Sequence, residues 1–302
     1  MAVGIVPGLI VGLREGVEAA LVVGIIIAYL TKIGQPALRR SVYLGAGLAV
    51  LGSIAAAGVF AALFGEFKGS AEQLFEGFAA ILAVIVLTSM ILWMMKAAKN
   101  IRRHVEQRID VLVDRRQITG LASLAFLAVF REGVETVLFM AGLAGTATTA
   151  DIAAGVGLGL LAAAFLGYGV FAAAWKIDLR RFFQATGLLL IIIAAGLFAL
   201  GVHELQEAGW LPWLSGTAYD LTRVFPVDRN PIAGVLRGLV GYNDAPSHLE
   251  VVAYISYWIF TILLYLAIRT GKIAVVTRPL RNAWAALKRS FRRTPATKPG
   301  PD

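Results

Sequence analysis

Long apolar blocks follow one another along this chain, separated by short polar segments. Crossing the hydrocarbon of a bilayer takes roughly 20 apolar residues in a helix. Seven blocks reach that length, over about 5–30, 42–64, 76–95, 119–143, 151–175, 182–202 and 251–269. The expected fold class is an all-α integral membrane protein with seven transmembrane helices. Met1-Ala2-Val3-Gly4 offers no basic segment ahead of the first block, and that block is longer than the apolar stretch of a removable leader, so it reads as a span.

The polar segments are unequal in charge. Lys32, Arg39 and Arg40 follow the first block. Lys96, Lys99, Arg102, Arg103, Arg108, Arg115 and Arg116 follow the third, and Lys176, Arg180 and Arg181 the fifth. A basic tail begins at Arg269. These alternate segments hold most of the 28 Lys and Arg, whereas the intervening ones carry only Lys68, Arg223, Arg229 and Arg237. Basic loops stay on the cytoplasmic side, which predicts an outer N-terminus and an inner C-terminus, in the cell inner membrane. The chain divides into a seven-span region, 1–270, with an outer loop over 203–250, and a tail, 271–302. In the tail, Leu280, Trp284, Leu287 and Phe291 fall at helical spacing among basic residues, the pattern of a helix lying on the inner membrane surface. The last residues, TPATKPGPD, are expected to be disordered.

Composition narrows the function classes. Hydrophobic residues make up 58% of the chain and mean hydropathy is +0.75, which excludes a soluble domain. Without cysteine there is neither a disulfide nor a thiolate metal site, and five Met with three His exclude a soft-metal pathway. The net charge of +9 belongs to the topology and is no nucleic-acid footprint.

Two of the blocks contain what hydrocarbon should exclude. Arg14-Glu15-Gly16-Val17-Glu18 lies within the first and Arg131-Glu132-Gly133-Val134-Glu135 within the fourth. The three-span groups they begin, about 1–95 and 119–202, have opposite orientation because three is odd. That is the arrangement of an inverted repeat, in which a transport site forms near the midplane. Gly4, Gly8, Gly12 and Gly16 on the first span, and Gly155, Gly159, Ala163 and Gly167 on the fifth, are small-residue stripes for close helix packing.

At about 100° per residue, the two glutamates of each motif lie about 60° apart on one helix face, with the arginine beside them. Each ionised group near the bilayer centre costs at least ~2.5 kcal/mol, so six of them need partners. Paired Arg–Glu bridges that lock the two spans together would use one glutamate per arginine. Two carboxylates are left over, and a net charge of −2 suits a cation, or protons in its absence. Glu15, Glu18, Glu132 and Glu135 are therefore the candidate metal ligands, with Arg14 and Arg131 balancing charge and holding the carboxylates ionised. Oxygen donors without sulfur suit a hard cation. Gly16 and Gly133 are expected to tighten the crossing of the two spans.

Other acidic groups gather on the outer side. Glu72 and Glu76 stand one helical turn apart where the third span begins, and His203, Glu204 and Glu207 stand where the sixth ends. They read as a funnel that concentrates cations at the entrance, or as solvated helix ends. Two other function classes share some of these features. A transporter of another hard cation, such as Mn(II), shares the architecture. A membrane enzyme with paired carboxylates would not need the inverted duplication, and no nucleophile accompanies either pair.

These motifs resemble those of the high-affinity iron permeases of the oxidase-dependent iron transporter family, bacterial and EfeU-like. Members carry an Arg-Glu-Gly-Leu-Glu-like motif in the first and fourth spans, matched here at 14–18 and 131–135 with Val17 and Val134 for leucine. Glu72 to Glu76 is similar to an outer Glu-Asp-Leu-Trp-Glu motif, and Gly241-Tyr242-Asn243, Pro246 and Glu250-Val251 also resemble bacterial members. The Asp-Ala-Ser-Glu sequence of fungal members is absent. The resemblance implies a permease with iron, generally taken as Fe(III), as substrate and with no tightly bound cofactor. It implies partners outside the cell membrane, an iron-binding lipoprotein or cupredoxin-like protein and a haem peroxidase.

Overall fold

The computed structural model describes residues 4–64, 68–97, 101–114, 118–171, 178–227 and 229–270. The expected surface helix and tail, 271–302, lie outside them. The described residues are almost entirely helical: α1 (Ile5–Lys32), α2 (Arg39–Phe64), α3 (Ser70–Ala97), α4 (Ile101–Asp114), α5 (Ile118–Gly142), α6 (Thr149–Phe171), α7 (Leu179–Glu207), α8 (Pro231–Val240) and α9 (His248–Arg269). The chain divides into two units, Met1–Ile255 and Ser256–Asp302. The described part of the second is the remainder of α9.

Five helices among the described residues are long and apolar enough to cross a membrane, in the segments Pro36–Ala62, Ser70–Leu92, Thr149–Phe171, Arg181–Glu207 and His248–Ile268. The chain is a membrane protein. The other two long helices, α1 and α5, each carry one copy of the duplicated motif, with three charged residues in its five. Outward-facing Leu51, Ile54, Leu161 and Phe165 are each more than half exposed, a surface that suits lipid tails and not water.

Three helix pairings dominate: α1 with α6, α2 with α5, and α3 with α7. Along α1 and α6, Ile5 meets Gly155, Gly12 meets Val156, Gly16 meets Ala163 and Gly24 meets Phe171, so the two helices run in the same direction. A Cβ on Gly8 would stand 2.5 Å from the Ile152 carbonyl oxygen. The two small-residue stripes thus face each other, and their missing side chains allow backbone contact. Likewise α2 and α5 run in parallel, Gly45 against Ala122 and Gly52 against Phe130. By contrast α3 and α7 are antiparallel, with Gly77 against Leu205.

Gly16 and Gly133 do not tighten an α1–α5 crossing. Gly16 faces Ala163 of α6 and Gly133 faces Ser53 of α2. One residue on a helix turns the side chain by about 100°, so a glycine next to Glu15 or Glu132 points toward the neighbouring pair instead. Where α1 and α5 do meet, Ile26 and Leu30 near the end of α1 share a buried cluster with Leu121 and Ala125 near the start of α5. The two helices are therefore antiparallel.

Two elements depart from the sequence expectation. The basic segment after the third block contains α4, whose Ile109 is fully buried in that same cluster and whose Asp110 accepts a hydrogen bond from Tyr29 at 2.5 Å. The sixth span continues to Glu207, so His203, Glu204 and Glu207 belong to the last turns of α7 and not to a loop. The following segment contains α8, started by Asn230, which caps the Ile232 amide, and ended by Gly241. Gly241 is left-handed at φ 70° and packs directly on Gly196 of α7, where a side chain would not fit.

Candidate metal site

Both copies of the motif lie in the interior of the bundle, and each arginine turns back to its own glutamates. In α1, Arg14 Nη1 is 2.8 Å from Glu15 Oε1 and Nη2 is 2.9 Å from Glu18 Oε1. Arg14 also donates to Met90 Sδ of α3 at 3.2 Å. In α5, Arg131 Nη2 is 2.5 Å from Glu132 Oε1, and Nε is 3.4 Å from Glu135 Oε1. The i,i+4 spacing produces the longer contact of each pair.

The copies differ in exposure. Arg14, Glu15 and Glu132 are buried, and the Arg131 side chain is 48% exposed. Burial of Arg14 among two carboxylates and a thioether gives it no solvent to fall back on.

Across the two helices, Glu15, Glu132 and Glu135 each offer a carboxylate oxygen, and those three oxygens lie within 4.8 Å of one another. Glu15 Oε2, Glu132 Oε2 and Glu135 Oε2 are buried with no hydrogen-bond partner. Glu18 Oε1 also lacks a hydrogen bond, although it is ion-paired with Arg14. Buried carboxylate oxygens without donors are costly unless they are paired or coordinate a metal. Every candidate ligand has one such oxygen. The structure brings three of the four predicted ligands to one point and leaves Glu18 against Arg14.

The outer residues separate into two surroundings. His203 Nδ1 is 3.0 Å from Glu250 Oε1 and its Nε2 is 3.2 Å from Glu207 Oε1. Gln73 donates to Glu207 at 2.8 Å, and Asn243 donates to Glu250 Oε2 at 2.9 Å. Glu76 and buried Glu204 instead converge on Gly145, and Glu72 is exposed on the first turn of α3. Glu250 and Asn243 were absent from the sequence-based site. Ser247 and Glu250 form a capping box, the Ser247 amide donating to Glu250 and the Glu250 amide to Ser247 Oγ. Its Ser-x-x-Glu spacing is a readable signal for that helix start. Asn243 gives the Gly241-Tyr242-Asn243 motif a structural role, and Tyr242 adds a bond to the Phe225 carbonyl at 2.9 Å.

With this geometry in place, the relatives become informative. Residues 5–278 match the Iron permease FTR1 family. The chain belongs to that family. It is 35% identical over 264 residues to the ferrous iron permease EfeU of Yersinia pestis, covering 86% of this chain and 92% of the relative. Identity to the ferrous iron permease EfeU of Escherichia coli O6:H1 is 34% over 258 residues, 84% of this chain and 92% of the relative. An uncharacterized protein of Archaeoglobus fulgidus is 36% identical over 260 residues, 82% and 90% of the two chains. No solved structure matches. The expected family is thus established, and the chain is an iron permease, a transporter and not an enzyme, with iron as its transported substrate.

Proposed function

We propose that this permease imports iron as Fe(III) through the glutamates of its two motifs. The observation that carries this reading is the convergence of Glu15, Glu132 and Glu135 within 4.8 Å, each with a buried oxygen that nothing else engages. Glu18, one turn along α1, supplies the fourth carboxylate. Arg14 and Arg131 offset part of the charge, leaving −2 for a cation to neutralise. An all-oxygen donor set favours a hard ion, hence Fe(III), although the EfeU relatives are named ferrous iron permeases.

The surrounding architecture in this reading has seven spans, α1, α2, α3, α5, α6, α7 and α9, with the N-terminus outside and the C-terminus inside the cell inner membrane. Exchanging α1 with α5, α2 with α6 and α3 with α7 converts the α1–α6 pairing into α5–α2 and returns α3–α7 to itself. The contacts and helix directions support such an inverted repeat. Glu72, Glu76, His203, Glu204 and Glu207 lie at the outer entrance and attract cations. An iron-binding lipoprotein and a haem peroxidase on the outer side, suggested by the family resemblance, would supply the iron.

Uptake into proteoliposomes tests the substrate. Ferric citrate, anaerobic Fe(II) and Mn(II) are offered separately to the purified protein. Fe(III) is expected to accumulate, with Fe(II) and Mn(II) at least tenfold slower. Accumulation of Fe(II) alone would overturn the oxidation state, and equal uptake of Mn(II) would make this a general hard-cation transporter.

A further inference from the structure

His203, Glu207 and Glu250 are engaged with one another and with Gln73, Asn243 and the Ser247 amide, so their polar atoms are spent on joining α3, α7 and the start of α9. Glu204 is different. It is 7% exposed, and its carboxylate makes no hydrogen bond or ion pair among the described residues. Its Oε1 lies 3.0 Å from the position that a Cβ on Gly145 would take, and Glu76 Oε2, from α3, lies 3.1 Å from the same position. The two carboxylates therefore face a gap that exists because residue 145 has no side chain.

Two basic groups act on these carboxylates, His203 on Glu204 and Arg237 of α8 on both. Arg237 also donates to the Gly145 carbonyl at 3.3 Å. Solvation is restricted here, because Glu204 is only 7% exposed. Structural pairing does not account for the arrangement, because the Glu204 carboxylate has no partner among the described residues. Two carboxylates around an empty gap are matched by an ion that takes oxygen ligands.

We propose that Glu76 and Glu204, facing each other across Gly145 with Arg237 as counter-charge, form a second cation site that holds iron before it reaches the central glutamates. This rests on the import reading above. The site is separate from the central one, since Met90, which contacts Arg14, lies roughly 21 Å further along α3 at 1.5 Å per residue. One guanidinium against two carboxylates leaves a single net negative charge, half that of the central cluster. A pathway needs sites that are favourable enough to enter and weak enough to leave, and a weaker outer site followed by a stronger inner one meets both conditions.

The test counts bound iron on the full-length protein in nanodiscs, with ferric citrate and, separately, anaerobic Fe(II) as probes. The wild-type protein is expected to bind two ions. Glu132→Gln with Glu135→Gln should retain the weaker one, and Glu76→Gln with Glu204→Gln the tighter one. Gly145→Ala keeps every charge but fills the gap, and should weaken the outer ion at least tenfold. Unchanged binding in the outer double variant overturns the second site while leaving the central reading intact. So does a single wild-type ion that the central substitutions remove. Loss of the outer ion alone, with the central substitutions lacking any effect, overturns the central reading and keeps this one. If the outer double variant fails to reach the membrane, Gly145→Ala decides: unchanged affinity for the weaker ion rejects the proposal.

Discussion

Glu15 of α1 and Glu132 of α5 hold carboxylate oxygens within 4.8 Å of each other across two antiparallel helices, both nearly sealed from solvent. Their negative charges stand together where a bilayer offers little screening. Arginine partners relieve part of the repulsion within each helix, and in the proposed import reading the remainder gives the cluster its affinity for a cation.

The two arginines should respond differently to removal. Arg14→Gln leaves Glu15 and Glu18 buried beside each other, and breaking a buried pair costs ~3–5 kcal/mol. Arg131 is half exposed although its partner Glu132 is buried, so Arg131→Gln should cost less than Arg14→Gln. Thermal unfolding in detergent compares them. Arg14→Gln combined with Glu18→Gln should recover stability without recovering iron uptake. Arg14→Lys should be impaired less than Arg14→Gln, because charge survives while the planar two-point contact is lost.

The α1–α6 contact gives a purely structural prediction. A methyl on Gly12 would meet the Val156 backbone, which cannot move aside as a side chain would. Gly12→Ala should destabilise the protein by ~1–3 kcal/mol, whereas Gly157→Ala, which faces open space, should be neutral. Equal melting temperatures for the two variants would contradict this packing.

Much of the central site was legible because charge inside a hydrophobic block is costly, and Arg14–Glu18 and Arg131–Glu135 state that cost twice. Which way the intervening glycines point was not legible, since the partners of α1 and α5 on their other faces come from distant spans. Nor was the arrangement that brings Glu15, Glu132 and Glu135 within 4.8 Å of one another and leaves Glu18 outside that group. Helix α4 was masked by its charge content: Val105, Ile109 and Leu112 recur at helical spacing, but the basic residues around them suggested only a loop. Glu204 looked equivalent to His203 and Glu207 in sequence. Only the approach of Gly145, from a turn far away in the chain, sets it apart.

Steering and binding should separate at the outer end. Glu72 is exposed, so its expected role is to attract cations through its field. Glu72→Gln should raise the iron concentration for half-maximal uptake about two- to threefold at low salt, an effect that fades near 0.5 M salt as screening shortens the field's reach. A salt-independent loss of maximal rate would place Glu72 in the pathway itself.

In the proposed site protons and iron compete for the same carboxylate oxygens, which bind metal only when deprotonated. As pH falls, proton occupancy rises and iron uptake should fall. Conversely, iron binding should release protons. Calorimetry in two buffers of different ionisation enthalpy reads the release directly, and identical binding enthalpies in both would remove the competition.

Topology can be checked without iron. A reporter after Gly145 or within 217–230 should lie outside, and one near Arg108 inside. Protease protection of 217–230 in sealed right-side-out vesicles would contradict the seven-span arrangement.

Iron uptake by Glu132→Gln tests the central claim most directly. Glu132 is one of the three converging candidate ligands, and the arginine it leaves behind is half exposed, so the substitution removes a carboxylate without stranding a fully buried charge. If the glutamates bind the transported ion, the variant should fold and insert normally, with uptake reduced at least a hundredfold. Near-normal uptake by a correctly inserted Glu132→Gln protein would contradict the account, leaving the paired motifs as a structural lock between α1 and α5.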